Sequence, residues 1–281
     1  MKKLALELLF RITGIGAASG LLYNNGTLLL VSDNSHIVYE YNIEKQHLEK
    51  TELVNKNYLG PRENVAKEDK PDYEAIAVKG DSLYLIGSGS AANRNLIGHI
   101  NAKDKTLYPH IDAADLYLAM QNFAEITPED FNIEAVVNDG DTWYFLNRGN
   151  GPGRKNGIFT LTGSMNDTSF QILYNPVKLP KIKGVPASFT DACLADGKLY
   201  FTAAAEDTTS TYQDGKVAGT LLGRMNLDKM KVEKTLVISE ANKFEGITLF
   251  KENEKEIEFL LCEDTDSNAT DSAIYKLSIK K

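Results

Sequence analysis

Five polar residues, four of them acidic, recur along the chain at nearly equal spacing. They are Ser19, Glu74, Glu134, Asp191 and Glu245, separated by 55, 60, 57 and 54 residues. Each precedes a short apolar segment, as in the stretch NIEAVVNDGDTWYFLNRGNG. Carboxylates that meet in one place must be protonated, solvated or neutralised by a cation. If a metal ion is that cation, oxygen ligands favour Ca²⁺ or Mg²⁺ over zinc.

The segments that follow these residues have the pattern of antiparallel strands. An apolar run, a tight turn and a second apolar run recur, as in YEAIAVKGDSLYLIGSGS and TDACLADGKLYFTAAAED. Turn pairs such as Asn-Gly and Asp-Gly supply the positive φ that short hairpins need. A third strand pattern follows in every repeat and a fourth in most, and four antiparallel strands per repeat are typical of a propeller blade.

The repeat also closes on itself. From Glu245 through the chain ends and round to Ser19 the separation is again 55 residues. The fifth repeat lacks a fourth strand, and residues 4–12 read as a strand that replaces it and removes an open sheet edge. We therefore predict an all-β protein, in which residues 1–281 form one five-bladed β-propeller of four-stranded antiparallel blades. Residues 112–126 have helical spacing and predict a helical insertion capped by Asp112.

In such a fold the first strand of each blade lines the central channel, so the five polar residues are expected to ring one mouth of it. Three roles remain open for them. They accept backbone N–H bonds from the next blade and lock the ring, they bind an axial Ca²⁺, or they act in catalysis. The loops 54–72, 109–131 and 203–219 open on the same face, where a ligand site is expected.

Six residues in the loops of this mouth are candidate ligand-binding residues: Ser88, Arg94, Arg148, Asn150, Glu206 and Asp207. Arginine beside exposed backbone amides can hold a phosphate or a carboxylate. Alternatively, Arg148 pairs with the ring carboxylates.

A second candidate calcium site lies in the stretch DTDSNATDS (264–272). Asp264, Asp266 and Asn268 alternate there like half of a calcium loop. Ala269 and Tyr275 stand where an EF-hand requires glycine and glutamate, so the pattern is incomplete.

Composition limits the class of protein. The formal net charge of −8 gives no electrostatic support for nucleic-acid binding. No apolar stretch is long enough to span a membrane. Cys193 and Cys262 lie in apolar runs and are expected to be free thiols, which agrees with a reducing compartment. We expect a cytoplasmic monomer.

Several segments resemble known propellers. SGLLYNNGTLLLVSDNSHIVYEYN, NIEAVV and FEGI resemble a bacterial family of uncharacterised WD40-like propeller proteins, over nearly the whole chain. The EAIA and FEGI starts look like those of phytase-like propellers. The first repeat is also similar to that of calcium-activated nucleotidases (apyrases), a resemblance that implies an axial calcium held by serine and glutamate. Ser19, Glu74, Glu134 and Glu245 match that ligand set in kind, and Asp191 is one methylene shorter.

Two hypotheses of function follow. The protein is a propeller that binds a small anionic ligand or an unknown protein partner at the mouth, with or without a structural cation on the axis. Alternatively, it is a calcium-dependent phosphoesterase or nucleotidase.

Overall fold

The computed structural model describes residues 4–165, 170–211, 215–264 and 270–281. Its strands form five antiparallel sheets arranged as the blades of a five-bladed β-propeller. The predicted fold class is therefore confirmed.

The blades follow one another along the chain after strand β1 (Leu4–Thr13). Blade 1 contains β2 (Ala18–Asn24), β3 (Thr27–Ser32), β4 (Ile37–Asn42) and β5 (His47–Glu52). Blade 2 contains β6 (Tyr73–Lys79), β7 (Ser82–Gly87), β8 (Leu96–Asn101) and β9 (Ile111–Asp112). Blade 3 contains β10 (Ile133–Asp139), β11 (Thr142–Asn147), β12 (Gly157–Gly163) and β13 (Phe170–Pro176). Blade 4 contains β14 (Lys181–Ile182), β15 (Val185–Ala195), β16 (Lys198–Asp207), β17 (Lys216–Asn226) and β18 (Lys231–Ser239). Blade 5 contains β19 (Lys243–Glu252), β20 (Glu256–Asp264), β21 (Asp271–Lys280) and β1.

The ring closes through β1, as predicted. This strand pairs antiparallel with β21, from Leu4 opposite Ile279 to Thr13 opposite Asp271. Ile12 is buried, and the side chain of Leu6 packs against the core of blade 5. The outer edge of β21 is thereby covered by the other end of the chain, which ties the first blade to the last.

Blades 2 and 4 depart from the ideal repeat. In blade 2 the fourth strand has only two residues, because the chain leaves the sheet for helix α1 (Ala114–Ala124). The expectation that Asp112 is the N-cap is wrong: Ala113 has that position, and the Asp112 carboxylate accepts the Ala114 N–H at 2.9 Å. In blade 4 the short strand β14 adds to the start of β15.

The core lies largely between neighbouring blades. In one cluster, Ile97 of blade 2 is joined by Trp143 and Phe159 of blade 3, all fully buried. Helix α1 joins the same cluster through Tyr117, whose hydroxyl donates to the Gly87 carbonyl at 2.7 Å. Cys262 is buried and Cys193 is partly buried, and both are free thiols. In the described part of the chain no helix is long and apolar enough to cross a membrane.

Candidate functional site

Each first strand has a β-bulge close to its start. In every blade one residue of this strand has no partner on the neighbouring strand, and the pairing register shifts across it. These bulged residues are Ser19, Glu74, Glu134, Thr190 and Glu245. A bulge re-aims the side chain that it carries. The position predicted for Asp191 is thus held by Thr190, one residue earlier, because the shift in blade 4 lies between Phe189 and Asp191.

The two hydroxyl side chains at these positions join blades together. Ser19 Oγ donates to the carbonyl of Tyr73, and Thr190 Oγ1 donates to the carbonyl of Phe244, both at 2.7 Å. Each acceptor directly precedes the bulged glutamate of the next blade. Ser19 and Thr190 therefore link neighbouring blades, but as donors to a carbonyl and not as the predicted acceptors of backbone N–H bonds.

Asp191 also locks two blades. Its carboxylate accepts the N–H of Ala192 at 2.8 Å and the N–H of Ile247, in blade 5, at 2.7 Å. Burial raises the pKa of this carboxyl well above its ordinary value, and the two backbone hydrogen bonds oppose that rise. Both carboxylate oxygens are engaged by the backbone, so Asp191 is a structural residue.

The mouth contains a cavity of about 380 Å³, and all five blades contribute to its lining. Glu74, Glu134 and Glu245 line it, together with the loop residues Arg148 and Asn150. Loops 54–72 and 203–219 form part of the wall, as expected. Among the described residues in the lining, seven are acidic and five are basic.

One ion-pair network lies on the blade 1 and blade 2 side of the cavity. The Asp72 carboxylate contacts Lys70 Nζ at 2.6 Å and Arg94 Nη1 at 2.8 Å, and it accepts the Ser88 hydroxyl at 2.5 Å. Lys70 also pairs with Asp33. Because Asp72 and Arg94 are almost fully buried, these charges compensate one another away from bulk water.

A second network lies across the cavity, around Arg148. Its guanidinium pairs with Glu206, contacts Glu134 at 3.1 Å and lies 3.7 Å from Glu245. Lys243 Nζ lies 3.1 Å from Glu245 and 3.6 Å from Glu206. The alternative that Arg148 pairs with ring carboxylates is therefore the arrangement observed, and built-in cations neutralise these acids.

Two of the carboxyl groups favour their protonated forms. Burial raises the pKa of Glu134 to about 7, although Arg148 opposes the rise. Burial also raises the pKa of Glu74 well above its ordinary value, and repulsion from Glu134 adds to the rise. Glu134 therefore changes charge near neutral pH, and Glu74 is protonated more readily than an exposed glutamate.

This shift of the Glu134 pKa predicts a pH-dependent effect of Glu134→Gln. A carboxyl whose pKa is raised by folding stabilises the protein below its unfolded pKa, and that contribution is lost as pH rises through its folded pKa. The glutamine side chain does not titrate, so the free energy of unfolding of the variant relative to wild type should rise by about 2 kcal/mol between about pH 5 and about pH 8. Denaturant unfolding at the two pH values measures this. The exposed Glu68→Gln is the control, and an equal pH dependence in the wild type and in Glu134→Gln would contradict the prediction.

The predicted axial calcium set does not form an oxygen cage. Ser19 and Asp191 are engaged by the backbone, and Glu134 and Glu245 face Arg148 and Lys243. In the described residues no group of three acidic, histidine or cysteine side chains is placed to hold a metal ion. Residues 265–269 of the second candidate calcium site lie outside the described residues. The residues present thus do not fit an axial Ca²⁺.

We therefore expect calcium to leave the thermal stability unchanged. An ion that binds only the native state raises the melting temperature with its concentration. Differential scanning calorimetry with excess EDTA and with millimolar Ca²⁺ should give the same melting temperature. A rise with calcium that Glu134→Gln removes would contradict this prediction.

Four of the six predicted ligand-binding residues line the cavity: Arg94, Arg148, Asn150 and Glu206. Ser88 is fully buried behind Asp72, and Asp207 is exposed outside the lining.

Asp72, Asn132 and Lys243 are among the polar lining residues that the sequence did not single out. Each stands two residues before a recurring glutamate, Asp72 and Asn132 just before strands β6 and β10 and Lys243 at the start of β19. That spacing is the signal that could have found them.

Solved structures share the architecture at low sequence identity. The glutaminyl cyclase of Myxococcus xanthus superposes with a TM-score of 0.55 at 9% identity, over 97% of this chain and 96% of that chain. The major allergen Mala s 1 of Malassezia sympodialis gives a TM-score of 0.59 at 10% identity, over 96% of both chains. At such identities the likeness concerns the fold alone, and the resemblance to apyrases and phytase-like propellers is not confirmed.

Comparison with curated proteins finds no significant match. Residues 14–279 match the model of a family of unknown function, DUF6929. The chain belongs to this family.

Proposed function

We propose that this propeller binds a small polar molecule in the mouth cavity. The observation that supports the proposal is the cavity of about 380 Å³, in which charged side chains that are almost fully buried converge from successive blades. Small-molecule sites are commonly clefts of roughly 300–1,000 Å³ with a few convergent polar groups. Burying charge is costly in free energy, so a cluster of this size is more easily understood as a site than as a core.

The arginines of the mouth already have carboxylate partners, which bears on the charge of the ligand. The prediction of an anionic ligand rests on Arg94 and Arg148, and both guanidiniums already face carboxylates. An anion would have to take the place of Asp72 at one arginine, or of Glu134 and Glu206 at the other. Anionic compounds therefore belong in the test as one class among several, as does a protein partner at the same loops.

The calcium-dependent phosphoesterase is not favoured as a second function. Its mechanism needs an axial metal ion as Lewis acid. Four of the five groups predicted to bind such an ion are engaged: Ser19 and Asp191 by the backbone, Glu134 by Arg148, and Glu245 by Lys243.

A thermal-shift screen of anionic, neutral and cationic small polar compounds tests the proposed function. A true ligand should raise the melting temperature of the wild type. Ser210→Trp, which fills part of the cavity wall, should abolish the shift, whereas Glu254→Trp, in the exposed hairpin at the opposite end of blade 5, should preserve it. Ligands whose effect survives Ser210→Trp would place binding elsewhere and refute the proposal.

A further inference from the structure

Glu74 differs from the other bulged glutamates in its surroundings. Glu134 and Glu245 each lie within 3.1 Å of a cationic side chain. No hydrogen bond or ion pair from the described residues reaches the Glu74 carboxylate, although Glu74 lines the cavity and is only partly exposed. The charged groups that act on it are the acids Glu134, Asp72 and Asp33 and a single base, Lys70. Burial and these acids raise the pKa of the Glu74 carboxyl, and a cationic ligand beside it would favour the ionised form, which accepts hydrogen bonds.

Asn150 supplies a second, independent acceptor in the same cavity. It comes from the loop after β11 in blade 3, and its side chain is almost fully buried, with the residue 6% exposed. Its amide oxygen is buried, and no hydrogen bond reaches it. A buried polar atom without a partner is unfavourable by roughly 1–3 kcal/mol, so this oxygen is suited to receive a donor from a ligand.

The charges that line the mouth cavity favour a positively charged ligand. Its described acidic residues outnumber the basic ones by seven to five, and Lys70, Arg148 and Lys243 each already contact at least two carboxylates. When all seven acids are ionised, an added anion meets excess negative charge, whereas an added cation reduces it and favours the ionised forms of Glu74 and Glu134. A hydroxyl group can donate to Glu74 but leaves that charge uncompensated.

We propose that the ligand of the mouth cavity is a small organic amine, whose protonated amino group donates to the Glu74 carboxylate and to the Asn150 amide oxygen. This inference rests on the proposed function, since it names the ligand class of the same cavity. The ammonium group supplies three N–H donors and one positive charge, which suits the Glu74 carboxylate and the Asn150 amide oxygen in an acidic site.

Matched ligands that differ only in their head group test the ligand class. We suggest n-butylamine, n-butanol and n-butyrate, together with cyclohexylamine, cyclohexanol and cyclohexanecarboxylate, titrated by calorimetry and ligand-observed NMR at neutral pH. The amines should bind about tenfold or more tightly than the alcohols and carboxylates, because a hydrogen bond to a charged group is stronger than a neutral one.

Variants of the two acceptors localise the contact. Glu74→Gln and Asn150→Leu should each weaken amine binding, the first by about tenfold or more. Glu68→Gln, an exposed acid in the mouth loop 54–72, should leave it unchanged. The head-group comparison in the wild type does not depend on whether either variant folds.

The outcomes separate this inference from the proposed function. Equal or tighter binding of alcohols or carboxylates, sensitive to Ser210→Trp, would overturn the amine and leave the mouth as the site. Binding of Ca²⁺ that displaces the amine and is lost in Glu74→Gln would replace the organic ligand by a metal ion. Absence of binding by every head group would overturn the amine inference. The proposed function has a separate test in the wider thermal-shift screen. It is refuted only if that screen, too, finds no compound that stabilises the wild type and fails to stabilise Ser210→Trp.

Discussion

Replacing Arg148 by methionine is expected to lower the free energy of unfolding by about 3–5 kcal/mol. The guanidinium contacts Glu134, Glu206 and Glu245, all of them almost fully buried. Methionine preserves much of the side-chain volume but removes the charge. In the variant, Lys243 still contacts Glu206 and Glu245, but Glu134 loses its contact with Arg148. An uncompensated buried charge is strongly destabilising.

Urea unfolding followed by circular dichroism measures this loss. Arg11→Met is the matched control, since Arg11 is exposed and its pair with Asp271 is expected to contribute only about 0–1 kcal/mol. Glu206→Gln in the Arg148→Met background should restore part of the stability, because it removes one of the unpaired acids. If Arg148→Met were no more destabilising than Arg11→Met, the proposed neutralisation by Arg148 would be wrong.

Deleting residues 1–13 is expected to have the second large effect, because it removes strand β1. The deletion exposes the edge of β21 and removes the packing of Ile12, Leu4 and Leu6. Full burial of one aliphatic side chain contributes roughly 1.5–3 kcal/mol. We expect a loss of several kcal/mol and, because an open strand edge recruits other chains, assemblies larger than those of the full-length protein.

Size-exclusion chromatography and thermal unfolding of the truncated protein check this expectation. A synthetic peptide of residues 1–13 should restore the elution volume and the melting temperature of the full-length protein, whereas a peptide of the same composition in scrambled order should not. A truncated protein that remained monomeric with unchanged stability would show that ring closure does not depend on β1.

The blades were predictable from the sequence because their signals are local and repeated. Alternating apolar runs, Asn-Gly and Asp-Gly turns and a separation near 55 residues determine both the strand pairing and the number of repeats. The pairing of β1 with β21 followed from the missing strand in the last repeat. Where tertiary packing decides, prediction was poorer: blade 2 has a two-residue fourth strand, and helix α1 starts after Ala113.

The site was only partly predictable. The glutamates were identified from their spacing, but the choice of Thr190 over Asp191 required the strand register, since the two residues are adjacent. The cations that neutralise the acids come from different blades and loops, as Arg148 and Lys243 do at Glu206. Both partners are distant from Glu206 in sequence, whereas the spacing of Lys243 to Glu245 is local.

The central claim is that arginine and lysine side chains, and not a metal ion, neutralise the carboxylates of the mouth. A crystal structure of the wild-type protein, grown in millimolar calcium at neutral pH, tests it most directly. We predict the Arg148 guanidinium between Glu134 and Glu206, with no ion bound to the glutamates. A calcium ion on the axis ligated by Ser19, Glu74, Glu134 and Glu245, with Arg148 displaced, would contradict the account.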